Sequence, residues 1–92
     1  MAERTVIEPA FVALLEAALQ SRLPGAAVTH EQVRRDRHRF IVVSDEFEKM
    51  DHPERQQLVW KIAEEVVPKS DIWNVAMIIT MAPPEVDTLG AS

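Results

Sequence analysis

"VVSDEFEKMDHPERQQLVW", residues 42–60, is the stretch on which the fold turns. It leaves a strand-like apolar segment, crosses a short acidic stretch and enters a helix started by proline. Ser44 is placed to cap a short helical turn in which Phe47 and Met50 point inward. Asp51 is placed to cap a second helix, with Glu54 three residues on at the capping-box spacing. From Pro53 to Val67 the apolar positions Leu58, Val59, Ile62, Ala63 and Val66 form one stripe, and Gln56, Gln57, Lys61, Glu64 and Glu65 face away from it. Pro68 stops this helix. The acids of the junction thus have a structural task before any chemical one.

Working upstream, "EPAFVALLEAALQSRLPG" predicts a helix, with Pro9 suited to the first turn and Phe11, Leu14, Leu15, Ala18 and Leu19 at helical spacing. Pro24 and Gly25 end it. Two β-prone runs follow, Ala27–Arg34 and Arg37–Val43. Only Arg35 and Asp36 separate them, so they are expected to form an antiparallel hairpin. Downstream, "IWNVAMIITM", residues 72–81, has strand length and apolar character on both sides, which predicts cover on both flanks or a place inside the sheet. "APPEVDTLGAS" reads as a frayed tail. The order helix, strand, strand, short helix, helix, strand predicts one α+β domain over residues 1–92: a two-layer sandwich in which a three-stranded mixed sheet carries its helices on one face. Its core spans about residues 9–82, and residues 83–92 form a flexible tail.

The composition fits that picture. The chain has 92 residues, 47% hydrophobic and 27% charged, as expected of one globular domain. Without cysteine it has no disulfide, no thiolate nucleophile and no Cys-based metal site of its own. Charges near the amino terminus break any signal-like apolar run and no membrane span is present, so a cytoplasmic location is expected. The formal charge of -5 disfavours indiscriminate binding to phosphate backbones.

"RFIVVSDEF", the "ERQQLVW" helix and "IWNVAMIITMAPPE" resemble the BolA family of small proteins from about Phe11 to Val86, best in the Val-Val-Ser-x-x-Phe segment at residues 42–47. The resemblance implies a fold similar to the type II KH domain. It also implies a binding role rather than catalysis, either with monothiol glutaredoxins, sharing a two-iron two-sulfur cluster, or with DNA or RNA. The family's histidine at the opening of the last strand falls on Asn74, and an amide is a poor iron ligand beside imidazole. The family's second ligand lies in a long hairpin loop, whereas here the hairpin is tight and only His30 or His38 is near. A usual glycine is Lys49, and the family's Arg-His pair is Arg55 followed by Gln56. The departures predict a chain with no cofactor of its own.

Candidate sites follow from these residues. Trp73, Asn74 and Arg55 are expected at a partner-binding surface, Trp and Arg being residues enriched at interface hot spots. Trp60 is expected to rim the core. Arg34, Arg35, Arg37 and Arg39 form a basic ridge that suits phosphate; the competing reading is a solvated hairpin whose like charges discourage edge pairing. The corner "EKMDHPERQ" has no glycine, so a Gly-x-x-Gly approach to phosphates is not expected. His52, Glu54 and Arg55 have the residue types of acid–base chemistry, but capping accounts for the acids and no enzyme is expected. His30 and His38, the weak metal candidates, are expected on opposite sides of their strands, with no third ligand at a suitable spacing.

Overall fold

The computed structural model describes residues 9–90, with side chains through Val86. Helix α1 spans Ala10–Arg22, strand β1 Ala27–Arg34, strand β2 Arg37–Val43, helix α2 His52–Val66, strand β3 Val75–Met81 and helix α3 Pro83–Gly90. Single 3-10 segments at Asp45–Lys49 and Ile72–Asn74 lead into α2 and β3. The expected α+β fold is therefore present, with the hairpin strands at their expected limits.

The sheet order is β1-β2-β3, with β1 antiparallel and β3 parallel to β2. The core forms where α1 and α2 cover one face of this sheet. Phe11, Val12, Leu15 and Leu19 of α1 meet Phe40 and Val42 of β2, Val59, Ile62 and Ala63 of α2, and Ile78 of β3. Phe47 is also fully buried there, as expected, and Met50 packs partly against the cluster. Strand side chains alternate between the two faces. Ile41, Val43, Ile79 and Met81 fall on the face opposite the helices and are half-buried.

Local chemistry sets the boundaries. The Ser44 hydroxyl accepts the Glu46 N–H, and both halves of the Asp51–Glu54 capping box form, at 2.9 and 3.0 Å. Leu23 closes α1 through its N–H to Leu19, and Gly25 takes a φ of 84°, a left-handed conformation that suits glycine.

Four expectations are corrected. Leu14 is exposed, and Val12 takes the core position on α1, because the buried face is centred on Phe11, Leu15 and Leu19. β3 begins at Val75, since Ile72–Asn74 wind into a 3-10 turn before the strand. Its apolar character reflects burial on the helix side and half-burial of Ile79 and Met81 on the other, where Met77 is exposed; the central strand is β2. Residues 83–90, expected to be frayed, form α3, with Glu85 accepting the Ala82 N–H at 2.9 Å.

Candidate functional site

The sheet end nearest the hairpin turn gathers several of the residues singled out by the sequence. The 3-10 turn at Ile72–Asn74 lifts Trp73 off the body of the protein, leaving it 80% exposed, with Asn74 half-buried beside it. Beneath lies a depression of about 310 Å³ walled by Arg37, Trp60, Ile72, Trp73 and Val75. Trp60 is fixed in that wall by a relay. Its indole N–H donates to the Gln56 side-chain oxygen at 3.1 Å, and the Gln56 amide donates to the Ile78 carbonyl of β3 at 2.9 Å. Gln56 was expected to face solvent; it turns toward β3 because that carbonyl lies within its reach.

A second depression, of about 280 Å³, spans all three strands and is lined by Val33, Arg34, Arg37, Arg39, Ala76 and Met77. Arg37 belongs to both. Register explains the arrangement. An irregularity between Gln32 and Arg34 puts Arg34 directly opposite Arg37 across the hairpin. Arg39 pairs with Glu31 on the neighbouring strand, while Arg34, Arg35 and Arg37 have no carboxylate partner among the described residues. Of the four arginines of the expected ridge, Arg34, Arg37 and Arg39 share a depression and Arg35 stands outside it.

Arg55 is corrected. It was expected at the partner surface with Trp73, but it is 5% exposed and its donors are engaged inside the protein. Nε donates to the Phe47 and Met50 carbonyls at 3.0 and 3.1 Å, and the two terminal nitrogens grip Glu85 in a fork at 2.9 and 3.0 Å. The fork, with the Ala82 N–H, holds the Glu85 carboxyl down to about 2 and raises the Arg55 pKa further. Glu85 was missed by sequence reasoning. Its signal is "APPE", two prolines and then a glutamate three residues after Ala82, a helix-start pattern that the poor capping residue at Ala82 conceals.

The two histidines are also corrected. They face the same side of the hairpin, His38 being buried, and the His30 Nε2 and His38 Nδ1 atoms meet at 2.7 Å. The ring centroids are 4.9 Å apart with planes at 22°. That separation exceeds the N···N distance by about two ring radii, so the nitrogens point at each other in a hydrogen bond rather than converging on a common ion. Phe11 and Phe40 pack against the pair at 5.4 and 5.3 Å. No group of three metal-ligating side chains occurs among the described residues.

A two-iron two-sulfur cluster does not fit these donors. There is no thiolate, Asn74 stands at the position the resemblance assigns to histidine, and the two hairpin imidazoles, His30 and His38, are bonded to one another. The corner between the 3-10 turn at Asp45–Lys49 and α2 is closed by the Asp51–Glu54 capping box, His52 lies exposed on it, and Glu54 is exposed at an open depression with Met50, Gln57, Leu58 and Lys61. No helix of the described residues is long and apolar enough to cross a membrane.

Neither a scan against protein-family models nor a search of curated proteins gives a match. Solved structures do. The chain is similar to the BolA domain of SufE1 from Arabidopsis thaliana, with 16% identity and a TM-score of 0.66 over 86% of this chain and 99% of that one. It is similar to BolA1 from the same plant, with 23% identity and a TM-score of 0.65 over 86% and 98%. A bol-like protein from Babesia bovis matches at 19% identity, with a TM-score of 0.52 over 85% and 91%. The fold is BolA-like.

Proposed function

We propose that this chain is a divergent BolA-like domain that performs no catalysis and acts in the cytoplasm by docking a protein partner through the surface around Trp73 and Asn74. The observation that carries this reading is Trp73 itself, a large apolar side chain 80% exposed above a cavity it shares with Trp60. Exposed tryptophan beside arginine has the composition of an interface hot spot. The resemblance names a monothiol glutaredoxin as the partner, and the donor chemistry supports docking without cluster ligation.

The test is calorimetric titration with a metal-free monothiol glutaredoxin. Binding should weaken at least tenfold in Trp73→Ala while far-ultraviolet circular dichroism stays unchanged, since the side chain makes little internal contact. Equal binding by the variant would refute the reading.

The depression holding Arg34, Arg37 and Arg39 supports a second reading, a nucleic-acid-binding KH-like regulator using the hairpin arginines from Arg34 to Arg39. Salt separates the two. Phosphate binding falls steeply as ionic strength rises, whereas docking centred on Trp73 does not.

A further inference from the structure

Arg34 and Arg37 face each other across the hairpin, an arrangement that costs stability because like charges directly opposite on paired strands repel. Neither has a counter-charge among the described residues. Arg39, Val33, Ala76 and Met77 share their depression. Among the described residues, three of the five exposed large hydrophobics, Val33, Trp73 and Met77, line the two depressions that Arg37 joins. A guanidinium pair lacking an acid, with Val33 and Met77 in its own depression and Trp73 on the far side of Arg37, is complementary to an anionic group with an apolar side chain on either side of it.

We propose that this end of the sheet binds an acidic segment of a partner protein, in which a carboxylate meets Arg34 and Arg37 while flanking apolar side chains enter the Met77 and Trp73 hollows. The proposal rests on the protein-docking reading and supplies the chemistry of the docked segment. Charge complementarity favours it: four arginines lie within residues 34–39 of a chain whose formal charge is -5. A peptide carboxylate needs only the local fork. A nucleic-acid strand would bring phosphates beyond the arginines toward Glu31 and the acidic remainder of the surface, where they are repelled. A phosphate chain also leaves the Met77 hollow without an apolar occupant.

Amide and indole resonances of the intact protein are followed by two-dimensional NMR during titration with four probes. These are the peptides Ac-GLDELG-NH2, Ac-GSDESG-NH2 and Ac-GLNQLG-NH2, and a ten-nucleotide oligothymidylate. The expected result is that the first peptide shifts Arg34, Arg37, Trp73 and Met77 together, with each of the other probes at least tenfold weaker. Arg37→Gln should abolish those shifts while leaving the thermal unfolding midpoint unchanged or higher, since it removes the repulsion across the hairpin. Shifts of equal size with the Gly-Ser acidic peptide would reduce the site to charge alone and overturn the proposal. Stronger binding by the oligonucleotide at the same residues would overturn it in favour of nucleic acid, and absence of shifts from every probe would also overturn it. Self-association that protects these residues before any probe is added would assign the surface to a second copy instead. If glutaredoxin binding depends on Trp73 while Ac-GLDELG-NH2 fails to bind, the docking reading survives and only the segment's chemistry is wrong.

Discussion

Arg55 shows how one side chain can join three parts of this protein. Its fork on Glu85 and its Nε bonds to the carbonyls of Phe47 and Met50 tie α3 and the acidic corner to the start of α2. Replacing it with alanine removes these bonds together, leaving the Phe47 carbonyl, among the described residues, only its Met50 N–H donor. Arg55→Ala should lower unfolding free energy by about 2 kcal/mol in a denaturant titration; a loss of a few tenths would show that the buried network carries little. Thr80 gives the opposite case. It is buried and its hydroxyl has no partner among the described residues, so Thr80→Val should raise stability by about 1 kcal/mol in the same assay. A loss of stability there would reveal a hydrogen bond at that hydroxyl. At this scale the sequence was legible where partners are close along the chain. Ser44, Asp51 and Glu54 bond to residues two or three positions away. Arg55 meets Glu85 thirty residues on, and His30 meets His38 through the hairpin register, so neither pairing is visible in a local pattern.

At the scale of elements, periodicity located both long helices and the hairpin, because burial of one face imposes regular spacing on each. It missed the turn at Ile72–Asn74, where an apolar run of strand length contains one helical turn before pairing with β2 begins. It also missed α3, which the tertiary Arg55–Glu85 ion pair ties to α2. That anchor makes α3 sensitive to acid. Glu85 titrates at about 2 in the folded protein, below its ordinary value of 4.5. A depressed carboxylate pKa means that the contribution to stability is fully present above about 4.5 and is lost as pH falls through about 2. Carbon-detected NMR of the Glu85 carboxyl should give a midpoint near 2, returning toward 4.5 in Arg55→Met. A wild-type midpoint at 4.5 would mean that α3 is not held by this pair.

For the molecule as a whole, element order predicted the α+β sandwich and the resemblance centred on residues 42–47 named the BolA-like fold, which the solved structures share over 85–86% of the chain despite identities of 16–23%. The surface was less legible. That Trp73 and the arginines adjoin one another depends on sheet order and on the strand irregularity beside Arg34, neither of which a linear pattern specifies. The central claim is that this surface docks a partner while donating nothing to a cluster the partner carries. Its most direct test is the visible circular dichroism spectrum of the complex with a cluster-loaded monothiol glutaredoxin, isolated by gel filtration. The two proteins should co-elute with the spectrum of the glutaredoxin alone, and Asn74→His should create a change. Failure to co-elute, or a new histidine-ligated spectrum from the unmodified protein that disappears in His30→Ala or His38→Ala, would contradict it.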